Sequence, residues 1–294
     1  MSYVAKLPSV VENLPYEKYD AATTAEGRSL IRSTTLRRIE QSPMHARHDD
    51  LWPRPATEAL DRGTAQHLLL FEPDRFDSEF IVAPHINRTT KAGKAAWADL
   101  EANAEGRTIL RPATKGDPGE KLDAFRQMAE AARRNETFGA MLEKGKPEVS
   151  VFAEVGGLPC KVRVDWLCQH EGWTTVVNYK TTGKSADFGA FRRDAINYSY
   201  DFSEALYRMV LDKAVPGPER RYVFAVQETY PPYAVACYEI DEDWMAAATE
   251  RVKRALSIWK ACERSGQWPG YEDGIQPMSM PEWMADKAAR EATE

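Results

Sequence analysis

The chain has 294 residues, of which 43% are hydrophobic and 29% charged, and its net charge is −6. That size and composition suit one large or two small globular domains whose core needs no disulfides. No run reaches the ~18 apolar residues that span a bilayer and the N-terminus has no signal-like stretch, so a cytoplasmic protein with no membrane partner is expected. The acidic balance argues mildly against tight nonspecific binding of nucleic acid, but it leaves room for an acidic metal pocket inside a locally basic groove.

In chain order, residues 1 to about 30 read as a loose arm or a loop packed on the surface. Ser33-Thr34-Thr35 is a plausible N-cap cluster ahead of Leu36 and Ile39, and Pro43 should end or bend that helix. Glu58 to Phe71 is a helix with a long apolar face, closed by Pro73. A short extended piece at 81–83 and a Lys- and Ala-rich helix over 91–104 follow. One amphipathic helix is then predicted over 119–143, with Leu122, Phe125, Met128, Ala129, Ala132 and Phe138 on its apolar side.

The period then changes. Residues 148–155 alternate, Gly156-Gly157 signals a hairpin, 158–168 is a second strand, His170-Glu171-Gly172 a second turn and 174–179 a third strand. Helices are expected from about 188 and over 200–213, strands over 221–227 and 234–240, and a long helix over 241–265 with Asp241 as its cap. The tail has few periodic runs. This order predicts an α/β fold, a central mixed sheet flanked by helices, in a single domain spanning 1–294. Within it, 1–145 is a mostly helical N-terminal elaboration, 146–265 the core and 266–294 a C-terminal tail. The cysteines Cys160, Cys168, Cys237 and Cys262 form no CxxC pair and are expected to be reduced and mostly buried.

The chemistry concentrates in 148–207. Glu148, Asp165 and Asn178-Tyr179-Lys180 lie on successive strands, and one hairpin can bring the ends carrying Asp165 and Asn178 side by side. A hard divalent cation takes oxygen ligands from one or two carboxylates, and a neighbouring lysine can orient water and screen a phosphate. The same residues also occur as ordinary strand residues. Elsewhere His67 is either a satisfied core histidine or a site residue, and Lys161 and Arg163 either line a groove or form a wet face. Arg88, Lys91 and Lys94 read first as a solvated face, Arg192 and Arg193 as phosphate candidates, His45 and His48 as exposed, and Trp166 as core or a site wall. Gly-x-Ser-x-Gly is absent, and Gly183-Lys184-Ser185 lacks the upstream glycine of a phosphate loop.

The run Cys160-Lys161-Val162-Arg163-Val164-Asp165 followed by Val176-Val177-Asn178-Tyr179-Lys180-Thr181-Thr182 resembles the core of the exodeoxyribonuclease VIII (RecE-like) family, related to lambda exonuclease and of the PD-(D/E)XK nuclease type. Ser33 to Pro43, Gly63-Thr64-Ala65-Gln66-His67, Leu70-Phe71-Glu72-Pro73, Tyr200 to Tyr207, Trp268-Pro269-Gly270-Tyr271 and Pro281-Glu282-Trp283 resemble further parts of that family in the same order. The resemblance implies a Mg²⁺- or Mn²⁺-dependent double-strand DNA exonuclease of a phage or prophage recombination system in a bacterial host. Such an enzyme would degrade from 5′ ends as a homo-oligomeric ring and leave tails for a single-strand annealing (RecT-like) protein. It implies metal ligands Asp165, Glu148 and position 178, the motif lysine Lys180, and His67 facing the site. By the same resemblance Tyr200 and Tyr207 lie on one helix face beside the DNA or the sheet, with Ser203 between them; Arg163, from its place on the alternating strand, is a further DNA-contact candidate. The pattern is broken twice: the family's motif acid is Asn178 here, and its glutamine after the helix tyrosine is Ser203. A catalytically silent DNA-binding or protein-interaction module on the same fold is the alternative.

Overall fold

The computed structural model describes residues 3–52, 58–110 and 122–291. The N-terminal stretch carries β1 (Ser9–Val11) and α1 (Tyr16–Asp20), followed by α2 (Ser33–Arg37) and α3 (Pro43–Leu51). Next come α4 (Glu58–Phe71), α5 (Phe76–Glu79), β2 (Phe80–Val82), α6 (Lys91–Ala102), β3 (Thr108–Leu110), α7 (Leu122–Arg134) and α8 (Glu136–Leu142). The central part is β4 (Gly145–Val155), β5 (Leu158–His170), β6 (Trp173–Thr182), α9 (Phe188–Tyr198), α10 (Tyr200–Ala214), β7 (Arg221–Glu228) and β8 (Val235–Tyr238). The chain closes with α11 (Glu242–Ser265) and α12 (Glu282–Glu291).

Six strands form one mixed sheet in the order β1-β4-β5-β6-β7-β8, parallel only between β6 and β7; β2 and β3 make a small parallel pair. Both predicted hairpins form for the predicted reason. Gly156 and Gly157, and then Glu171 and Gly172, take positive φ at both central positions, the backbone that matches strand twist in a two-residue loop. Helices cover both faces. On one, Phe202, Leu206 and Val210 of α10 and Val252, Leu256 and Trp259 of α11 pack on Val149, Val151, Val162 and Val164. On the other, Phe71, Ala132, Phe138 and Met141 of α4, α7 and α8 pack on Trp166, Val177, Tyr179 and Val223.

Five local expectations are corrected. The arm is not loose: β1 pairs with β4, and Ala5, Leu14, Tyr19, Ala22 and Leu30 bury Phe152. Arg32, not the Ser33 cluster, is the extended residue before α2, and no side chain caps that helix. Pro43 opens α3 instead of ending α2, because a proline fits the first helical position, where its missing N–H costs nothing; Ser42 Oγ accepts from His45 N at 3.3 Å. The single helix of 119–143 is two, since Asn135 leaves the helical conformation and its Oδ1 accepts from Phe138 N at 2.9 Å; residues 119–121 lie outside the described part. The tail, expected to hold few periodic runs, contains α12.

The sheet forks at one point. On β5, Leu158, Cys160, Val162 and Val164 face the α10–α11 core, yet Trp166 and Cys168 face the opposite core, so the alternation slips at Asp165. Across from it Glu148 has φ +50°, and the β4–β5 ladder runs Pro147↔Trp166, then Val149↔Val164, with that rung missing. β6 pairs with β5 from Trp173 to Val177, then leaves it and continues beside β7 to Thr182. Ile31 takes the vacated edge: its N–H donates to Pro159 O at 2.8 Å and its carbonyl accepts from Lys161 N at 2.9 Å. Backbone groups at a strand end need partners. At the fork the Asp165 carboxylate supplies one, accepting from Tyr179 N at 2.8 Å.

Candidate metal centre

Three potential ligands meet at this fork. Donor atoms of His67, Glu148 and Asp165 lie within 4.8 Å of one another. Ligands about 2.1 Å from one ion sit at most about 4.2 Å apart, so shifts of a few tenths of an ångström close the set. His67 comes from α4, where Leu70 and Phe71 anchor the helix on the sheet. Its ring meets the edge of Tyr179 at 5.1 Å between centroids and of Phe71 at 5.8 Å. The two carboxylates suit Mg²⁺ or Mn²⁺, the imidazole nitrogen favours the softer Mn²⁺, and the residues fit such an ion.

Glu148 is held from both sides. Its Oε1 lies 3.8 Å from His67 Nδ1, an ion-pair contact rather than a hydrogen bond, and its Oε2 accepts from Arg163 Nε. Arg163 also donates through Nη1 to Leu14 O at 2.8 Å and to Ser150 Oγ at 3.0 Å. Burial works to raise the Glu148 carboxyl, but His67 and Arg163 outweigh it and hold the group below the usual carboxylate range. For His67, burial works downward and the Asp165 and Glu148 carboxylates outweigh it, raising the imidazole above its ordinary value. A proton and a cation therefore compete for this ring.

On the other branch, Lys180 Nζ donates to Asn178 Oδ1 at 2.7 Å and to Tyr179 O at 3.3 Å, and it lies 5.5 Å from the centre of the Tyr200 ring. Asn178 thus contributes an amide oxygen that already accepts from the lysine. Tyr179 itself points into the opposite core, donating its hydroxyl to Gln227 Oε1.

The remaining candidates are spread more widely. Tyr207 sits on α10 and donates its hydroxyl to Arg163 O at 2.8 Å, so it braces β5 beside the acids. Tyr200 and Ser203 are half-buried on the same helix. Arg192 and Arg193 are exposed on α9, with Arg192 over the Phe188 ring at 5.3 Å. Arg163 is committed to Glu148, and reaching a phosphate would break that pair. Lys161 is neither groove nor wet face: it is buried, donates to Tyr19 O at 2.9 Å and Asp20 O at 2.6 Å, and burial lowers it to about 8. Arg88 lies 4.3 Å from the Trp97 ring centre, and Lys91 and Lys94 are exposed. His45 is tied to Ser42 Oγ at 2.7 Å and only half-buried, while His48 is exposed. Trp166 is core, stacked on Phe71 at 5.4 Å. Cys160, Cys168 and Cys262 are buried free thiols and Cys237 is half-buried.

The role of Arg163 as the Glu148 counter-ion was missed from the sequence, although a signal existed. The Gly156-Gly157 hairpin sets Ser150 opposite Arg163, which leaves Glu148 one diagonal step away. Among the described residues, no helix is long and apolar enough to cross a membrane.

A solved structure from Eubacterium rectale, described as a "Putative exonuclease", is similar with a TM-score of 0.54 at 13% identity, covering 95% of this chain and 99% of that one. At such identity the likeness shows the fold alone. A second solved structure, SSO0001, is 13% identical over 76% of this chain and 74% of that one, and its TM-score of 0.29 is too low to argue from. No curated protein matches the sequence. Residues 33–279 match the family described as "PDDEXK-like domain of unknown function (DUF3799)", and the chain belongs to that family.

Proposed function

We propose that this protein is a metal-dependent deoxyribonuclease that works on duplex DNA ends, an exonuclease leaving single-strand tails for an annealing partner. The observation that carries the reading is the His67–Glu148–Asp165 cluster set in the sheet fork beside the branch that holds Lys180. Polarity from 5′ ends, a ring assembly, and a phage or prophage recombination setting rest on the RecE-like resemblance.

His67, Glu148 and Asp165 would hold a Mg²⁺ or Mn²⁺ ion, which supplies Lewis-acid and water-activating chemistry when bound. The chain's own groups do the positioning. Tyr179 N holds one Asp165 oxygen, Arg163 keeps Glu148 charged, and Lys180 places an ammonium where a phosphate charge needs screening. Asn178 adds a neutral oxygen where an acid would add charge, and this favours a second reading, a protein on the same fold that binds DNA without cutting it.

Cleavage of end-labelled linear duplex in Mg²⁺ or Mn²⁺ separates the two, comparing the native chain with Asn178→Asp and Asp165→Ala. Digestion from the ends by the native chain or Asn178→Asp, absent in Asp165→Ala, supports the nuclease. Binding without cutting by both the native chain and Asn178→Asp supports the silent module.

A further inference from the structure

α9 and α10 meet at Ser199, a non-glycine residue in the left-handed region at φ 49°, ψ 54°. Left-handed backbone is unfavourable for an L-residue and is retained where the surroundings enforce it. The consequence here is geometric. Residues two apart on one helix do not face each other, yet the break at Ser199 brings the rings of Tyr198 and Tyr200 to 5.7 Å between centroids with planes 27° apart. Arg37 donates to the Tyr198 carbonyl and fixes the end of α9 from outside.

The stack has a buried end and an open end. Tyr200 is backed by Phe224 at 5.8 Å and Phe191 at 6.1 Å, both buried, and its ring lies against the Lys180 ammonium. Tyr198 is 53% exposed. The exposed arginines Arg192 and Arg193 lie on the same helix.

We infer that Tyr198 and Tyr200 form a stacking platform for an unpaired nucleobase of the DNA strand whose phosphate lies at Lys180, an inference that rests on the nuclease reading above. A base within a duplex already has both faces stacked, whereas a frayed terminal nucleotide or a single-strand tail has a free face to lay on the ring. The lysine at the inner end of the stack selects a phosphate-bearing ligand over a neutral aromatic one. The platform would hold the end of one strand apart from its complement at the point where that strand is handled.

Fluorescence anisotropy with a labelled single-strand oligonucleotide, the same oligonucleotide with an abasic site at its terminus, and a blunt duplex tests this, in Ca²⁺ to keep the DNA intact. Tyr198→Ala should weaken single-strand binding on the order of tenfold and blunt-duplex binding by less than twofold, while Tyr198→Trp retains native affinity. The abasic strand should bind the native chain as weakly as the intact strand binds Tyr198→Ala. Native single-strand affinity in Tyr198→Ala, with binding still lost in Lys180→Ala, would overturn the platform and leave the nuclease reading standing. A native chain that binds none of these DNAs overturns both.

Discussion

The two branches of the fork differ in how they are held. On the β4–β5 branch, Glu148 and Asp165 are each fixed by a specific donor, Arg163 and Tyr179 N, and Arg163 reaches on to Leu14 in the N-terminal arm. On the β6 branch, Asn178 and Lys180 satisfy each other, and the lysine turns toward the Tyr200 stack. The first branch carries the negative charge and is tied to the arm through Leu14 O. The second carries a positive charge and a neutral amide, and opens toward solvent at Tyr198. Bonds to an ionised carboxylate are charge-assisted, so Arg163 and Tyr179 N grip the acids, whereas the Asn178 amide oxygen takes its charge assistance from Lys180.

The most severe way to break this contrast is Asp165→Ala, which removes a ligand and the acceptor for Tyr179 N together. Any Mg²⁺- or Mn²⁺-dependent cleavage should fall by more than about 100-fold, since even the outer partners of a metal site cost 10–100-fold. End-labelled duplex assays measure it, with calorimetric Mn²⁺ titration as the independent readout. Next is Arg163→Met, which strands the Glu148 carboxylate and frees Leu14 O. With the pair only 11% and 21% exposed, urea denaturation should show a loss of roughly 3 kcal/mol, the low end for breaking a buried ion pair.

Asn178→Asp sharpens the contrast from the other side. It gives the β6 branch the charge it lacks, and Mn²⁺ affinity by calorimetry should rise on the order of tenfold, about 1.4 kcal/mol. Unchanged affinity would place the ion away from residue 178. The last test concerns the arm. Lys161 has a folded value of about 8 against an ordinary 10.5, so between these pH values the unfolded chain binds more protons. Its contribution to stability is present above 10.5 and is lost as pH falls through 8. Lys161→Met should remove that rise of unfolding free energy between pH 8 and 10.5, read by urea titrations across the interval.

Much of the fold was legible locally. The Gly156-Gly157 and Glu171-Gly172 turns, the alternation of β4 and the Asp241 cap of α11, whose Oδ1 accepts from Trp244 N at 2.8 Å, all depend on neighbouring residues. The misreadings came where a distant contact overrode local pattern. Lys161 looks wet on an alternating strand, but the carbonyls of Tyr19 and Asp20, some 140 residues earlier, accept two of its three donors and draw it inward. The polar arm looks loose because its apolar residues are scattered, and only Phe152 gathers them.

The candidate site divides the same way. The sequence by itself determined which acids, lysine and tyrosines stand on adjacent strands and helices, because hairpin length and strand period are short-range properties. It also determined that position 178 is an amide. Only the tertiary structure decided that β5 and β6 part at Asp165, that Ile31 fills the vacated edge, that α4 delivers His67 to the opening, and that Ser199 turns Tyr198 onto Tyr200. Those depend on which backbone groups are left unpaired once every long-range neighbour is in place, a global hydrogen-bond and packing condition that no local window contains.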